Sequence, residues 1–287
     1  MTEERLSTVV MGKVHIVSNW ENQSFEEKIL DLMSSGEEYK QRKGRGANKF
    51  IWAIGDHLIK EINDEMVIFA RLGKINMDFE EAIWDRREKS FKKVSVQEPK
   101  ALSWSNFIII PRTQDIIFEE KLPDISIKQF TEIFSYIYRQ HFSGDLTSLK
   151  IDLMQETQRI FEKLKGFDKI LEVQLKVTPS NPEDDPLFKP LDDMLKNSDT
   201  NEANLKFKNK DHGLKVEDTI IEQGIALSSA GYGQYTIVAE KDEQVEKIKS
   251  KDEIIRSEID VPDDPEDITR AFYRNYIDFI HRKRDTA

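Results

Sequence analysis

Residues 107–121, FIIIPRTQDIIFEEK, constrain this chain more than any other stretch, because they set apolar runs of strand length on both sides of a turn. Pro111 and Asp115 bracket that turn, and the whole reads as a β-hairpin. Phe107–Ile110 is also the longest apolar candidate in the chain, far short of the roughly 18 residues that cross a bilayer. The core must therefore be assembled from short strands and one-sided helices.

Other strands are expected at Thr8–Val17, Leu149–Met154, Lys169–Thr178, Asn204–Lys208, Tyr235–Glu240 and Ile254–Val261. Phe50–Ile54, His57–Ile62 and Met66–Leu72 read as a small meander, with Gly55–Asp56 and Asn63–Asp64 as its turns. A first helix starts at Ser24, with Glu27 in the capping-box position, and Gly36 ends it. Phe130, Ile133, Phe134, Ile137 and Tyr138 repeat at helical spacing within Ile125–Phe142, which Ser126 can cap. Further helices are expected at Glu156–Phe167, Leu191–Lys196 and Val216–Ala230, and from Pro265 to the basic end HRKR. EKDEQVEKIKSKDE reads as a solvated connector. Four of the nine prolines fall in PSNPEDDPLFKP, which excludes regular structure there and marks a boundary. The expected fold is α+β, with mixed or antiparallel sheets and flanking helices in two lobes, 1–178 and 191–287, joined by the loop 179–190.

With 287 residues the chain can bury a sizeable core, and the absence of cysteine excludes disulfides, iron–sulfur clusters and cysteine-ligated zinc. MTEERLSTVV has acids where a signal peptide needs cations, so a soluble, cytoplasmic protein is expected. No cofactor or metal is implied.

The segment SSAGYGQY, Ser228–Tyr235, raises the question of a phosphate cradle. Such a cradle needs its glycines between a strand and the start of a helix, where free N–H groups face the anion. Here the helix comes first and the strand second, so Gly231 and Gly233 read as a corner. The five histidines show no partnered spacing, and no nucleophile motif occurs. The acidic groups Glu183–Asp185 and Asp263–Asp267 lack calcium-loop spacing and read as solvated caps. Glu119-x-Lys121 with Asp115 upstream resembles half of a magnesium-nuclease arrangement.

Three basic groups stand out against the net charge of −11. Lys40, Arg42, Lys43, Arg45 and Lys49 form the first, and Arg86, Arg87, Lys89, Lys92 and Lys93 the second, beside Trp84 and Phe91 at the end of an expected short helix. Lys206, Lys208 and Lys210 alternate, so they share one face of a strand. Convergence of these groups would create a surface that follows phosphates without reading bases.

A strand and short helix, a meander, the hairpin and helix FIIIPRTQDIIFEEKLPDISIKQFTEIF, then NLKFKNKDHG, IALSSAGYGQYTIVAE and a final helix make a layout that resembles RexA-like phage-exclusion proteins and related bacterial defence-island proteins. The resemblance implies a two-lobed α+β protein that forms a homodimer, binds double-stranded DNA non-specifically and acts with other defence-system subunits, without membrane insertion. Two other readings predict different behaviour. A magnesium-dependent nuclease would use Glu119 and Lys121, and a protein-interaction subunit would present Glu183–Asp185 and bind no nucleic acid.

Overall fold

The computed structural model describes residues 6–17, 23–42, 48–76, 80–85, 90–95, 100–143, 148–180 and 185–285. Two antiparallel sheets organise them. The large one contains β1 (Leu6–Val17), β2 (Glu38–Arg42), β3 (Asn48–Ile62), β4 (Glu65–Asn76), β7 (Lys100–Ile110), β8 (Asp115–Glu120), β9 (Ser148–Leu153) and β14 (Arg256–Asp260). Its order is β14-β1-β8-β7-β4-β3-β2, with β9 also pairing β1. A hairpin of β5 (Glu80–Asp85) and β6 (Ser90–Ser95) lies between β4 and β7 in sequence. The small sheet runs β11 (Ala203–Lys208), β10 (Lys169–Val177), β12 (Gly233–Lys241), β13 (Gln244–Lys249). With six helices added, the fold is α+β.

Strand alternation sends side chains to both faces of the large sheet, and each face is covered. Val10, Ile109, Ile116 and Phe118 lie under α1 (Phe25–Ser34) and α2 (Ile127–His141). Both helices start with the capping boxes expected at Ser24/Glu27 and Ser126/Gln129. Phe130 of α2 stacks on Phe118 with ring centroids 4.1 Å apart. On the opposite face Val9, Phe69, Ile108 and Ile117 lie under α6 (Pro265–Asp285) through Ile268, Phe272 and Tyr276.

A second core fills one face of the small sheet. There α3 (Thr157–Lys165), α4 (Lys189–Asn197) and α5 (Ile220–Leu227) bring Ile160, Leu191 and Ile225 against Val173, Leu175 and Ile237. A Cβ on Gly224 would meet Leu175 Cδ1 at 2.3 Å, so glycine is what lets α5 approach β10 so closely. β10 and α4 both contribute to this core, through Val177 and Leu191, while β14 and α6 belong to the large sheet. Among the described residues, no helix is long and apolar enough to cross a membrane.

Several elements differ from the sequence reading. Gly55–Asp56 is not a turn: β3 continues through it with a register shift between Gly55 and Leu58, a bulge at which Asp56 takes φ +53°. Residues 90–95 form a strand on β5 rather than a helix end. The connector EKDEQVEKIK is the β12–β13 hairpin, turning at Asp242 and Glu243 with φ +48° and +61°. The helix expected over Val216–Ala230 starts only at Ile220, and a π-turn, Ser228–Tyr232, completes it.

Candidate nucleic-acid interface

The alternation that buries Val173, Leu175 and Val177 turns Glu172, Gln174 and Lys176 outward. On β11, Asn204, Lys206 and Lys208 point outward while Leu205 and Phe207 pack on the core. Buried Tyr235 and Ile237 set Gln234, Thr236 and Val238 outward on β12, and buried Ile248 does the same for Lys247 and Lys249 on β13. With the helices on the inner face, Gln174, Lys176, Asn204, Lys206, Lys208, Gln234 and Lys247 stand exposed.

Register aligns these positions into rows. Lys206, Gln174, Thr236 and Lys249 lie opposite one another across the four strands, as do Lys208, Glu172, Val238 and Lys247. Each edge strand therefore carries a column of lysines, and three strand spacings put the columns about 14 Å apart. A hollow of about 460 Å³ lies among Lys176, Lys206, Lys249 and Lys251.

Carboxylates answer part of this charge. Glu172 receives Lys206 Nζ at 3.1 Å and Lys208 Nζ at 3.5 Å. The Gln174 amide, and after it Lys206, pull the Glu172 carboxyl down to about 2. Glu202 receives Lys176 Nζ at 2.8 Å and the Asn204 amide at 3.4 Å.

At one end the face reaches the large sheet. Gln234 Nε2 donates to Asp152 Oδ1 at 3.2 Å, and Lys150 Nζ lies 2.6 Å from Asp152 Oδ2. Behind this corner is a seam of buried polar groups. His15 Nε2 bonds Gly231 O at 2.7 Å and lies 3.8 Å from Asp152. Lys13 Nζ donates to Thr113 O at 2.9 Å, pairs with Asp115 at 2.9 Å and lies 5.3 Å from the Tyr232 ring centre. Tyr276 donates to the other Asp115 oxygen at 2.8 Å. Burial holds His15 below its ordinary value, only partly offset by Asp152. The GYG segment is thus the corner where the small sheet meets β1. Gly231 has φ +91°, and a Cβ there would come within 2.7 Å of Lys13 Cγ.

Of the basic residues expected from sequence, the described ones lie on both sheets. Lys206 and Lys208 converge on Glu172, and Lys210 is exposed just beyond β11. Lys40 is exposed on β2, an edge of the large sheet. The side chains of Arg42, Lys43, Arg45, Lys49, Arg86 and Arg87 lie outside the described part of the structure, as do Glu183 and Asp184. Lys176, Lys247 and Lys249 were missed by the sequence reading, although the alternation in KILEVQLKV already sets Lys176 on the polar side of its strand.

Glu119 is fully buried and is held by Lys121 and by the Asn106 amide at 2.8 Å. Asp115, four residues upstream on the same strand and therefore about 13 Å away, belongs to the Lys13 network. Among the described residues no three His, Cys, Asp or Glu side chains group to hold a metal ion.

Residues 21–277 match the family model described as a domain of unknown function, DUF4747. The chain belongs to the DUF4747 family. No curated protein matches it.

Proposed function

We propose that the outer face of the small sheet grips the backbone of double-stranded nucleic acid without sequence choice. One observation carries this reading. In a chain of net charge −11, register gathers Lys176, Lys206, Lys208, Lys247 and Lys249 on one open face, against Glu172, Glu202 and Glu240. Lysines on phosphates release counterions and give salt-sensitive affinity that carries no base information. Two lysine columns about 14 Å apart suit the phosphates of two strands better than those of one. The described outward positions carry lysines, glutamates, amides, Thr236 and valines rather than aromatics, and proteins that hold single strands stack bases on aromatic rings.

The resemblance to RexA-like proteins supports the same ligand. It also supports a homodimeric, non-enzymatic, cytoplasmic role in phage defence beside other subunits. Lys40, Lys210 and the basic stretches holding Arg42, Lys43, Arg45, Lys49, Arg86 and Arg87 are proposed as further phosphate contacts.

The test is a gel shift of a mixed-sequence duplex at low and moderate salt, with and without magnesium. Wild type should retain the duplex intact, with a steep loss in salt. Changing Lys206, Lys208, Lys247 and Lys249 to Ala should reduce the slope of log affinity against log salt by up to about four, at roughly 0.9 per phosphate contact. Unchanged retention by that variant would remove this face from consideration. Cleavage in the magnesium lanes, lost in Glu119→Gln, would favour the nuclease reading.

A further inference from the structure

Building on the backbone-gripping reading, we infer that Glu172 is a built-in competitor for the ligand, occupying the seat a phosphate group would take between Lys206 and Lys208. The geometry is that of a held anion. One carboxylate at the centre of an open sheet face receives Lys206 Nζ at 3.1 Å and Lys208 Nζ at 3.5 Å from the neighbouring strand, and the Gln174 amide from its own strand. Cation donors from an adjacent strand converging beside an amide would receive a phosphate oxygen equally well. The two lysines are about half exposed, at 57% and 48%, whereas the carboxylate they share is 16% exposed. The cations thus remain within reach of an incoming ligand while the internal anion lies beneath them.

Two consequences follow for binding. Without ligand, Glu172 offsets the repulsion between Lys206 and Lys208, directly adjacent on one face of β11. With ligand, its charge must either be displaced from the lysines or tolerated beside a phosphate. Isolated anions therefore gain little from this face, and a polyanion that contacts both lysine columns gains most. The carboxyl is held down at about 2 by Gln174 and the lysines, so mild acid does not relieve the competition. Glu202, on Lys176 and Asn204, repeats the arrangement towards the corner.

The experiment is a fluorescence-anisotropy titration of a labelled 20-base-pair duplex, over a range of salt concentrations, with wild type, Glu172→Gln and Glu61→Gln. Glu61 is exposed on β3 of the large sheet, so its replacement makes the same change in net charge away from the lysines. Glu172→Gln should bind about fourfold tighter, the factor expected for removing one like-charge contact at about 5 Å in water. Its salt slope should also steepen by up to about two, as Lys206 and Lys208 become free for phosphates. Glu61→Gln should behave as wild type. A gain of affinity cannot come from damage to the fold. Unchanged or weaker binding by Glu172→Gln, with wild type binding, would overturn the competitor role and leave the backbone-gripping reading standing. Equal gains in both variants would assign the effect to net charge and overturn it too. Binding by none of the three at low salt would overturn the reading itself.

Discussion

Replacing Gly231 with Ala tests how tightly the π-turn is closed against β1. Two costs are expected together. The first is backbone: φ +91° lies in the left-handed region, where an L side chain costs about 1–2 kcal/mol. The second is steric, since the new Cβ would come within 2.7 Å of Lys13 Cγ. Lys13 is 3% exposed and bonded at its tip to Thr113 O and Asp115, so it has little room to withdraw. Overpacking of this kind costs about 1–3 kcal/mol, giving a total of about 2–5 kcal/mol. Gly36 is the internal reference, because it has φ +66° but nothing within 4 Å of the position its Cβ would take. Gly36→Ala should therefore cost only the backbone share, about 1–2 kcal/mol. Equilibrium urea unfolding of wild type and both variants gives the comparison directly. If the two substitutions cost the same within about 0.5 kcal/mol, the close approach of Gly231 to Lys13 is refuted.

Removing one partner of the buried Lys13–Asp115 pair should also be costly. Asp115→Asn should lose about 3–5 kcal/mol, and adding Lys13→Met should recover part of it, measured as a double-mutant cycle. His15 gives a pH dependence with a definite sign. Burial lowers its folded value below 6.5, so the neutral ring is favoured in the folded state. Its contribution is complete above about pH 6.5 and is lost as pH falls from there towards the folded value. Unfolding free energies from pH 7.5 to 5 should decline more for wild type than for His15→Gln; identical curves would count against the assignment. Phe130→Ala, which removes the ring stacked on Phe118, should cost about 3–5 kcal/mol in the same unfolding assay.

Local chemistry was readable from the sequence wherever it sufficed to fix structure. The Ser24 and Ser126 caps, the turn after Ile110, and the corner at Gly231 depend on residues within a few positions of one another. Elements decided by distant partners were not readable. Gly55–Asp56 has turn composition, yet pairing with β4 on both sides carries β3 through it as a bulge. β13 buries little beyond Ile248, because it is an edge strand with one open face, and its charges imitate those of a linker. The candidate site divides in the same way. The alternation of Lys206 and Lys208 is visible in NLKFKNK. Their alignment with Lys249 and Lys247 requires the registers of three successive strand pairs, which no local pattern contains.

The return of the chain to the large sheet through β14 and α6 has a consequence for synthesis. Translation delivers β1, β4, β7 and β8 early, but the helix that covers Val9, Phe69, Ile108 and Ile117 emerges only after the entire small-sheet core. A nascent chain therefore displays an apolar sheet face until α6 leaves the ribosome, and such surfaces recruit chaperones or neighbouring chains. A copy that stops short of Phe272 would complete the small sheet and its lysine columns yet leave the large sheet bare on one side. Removal of α6 should accordingly yield aggregation rather than a smaller working protein.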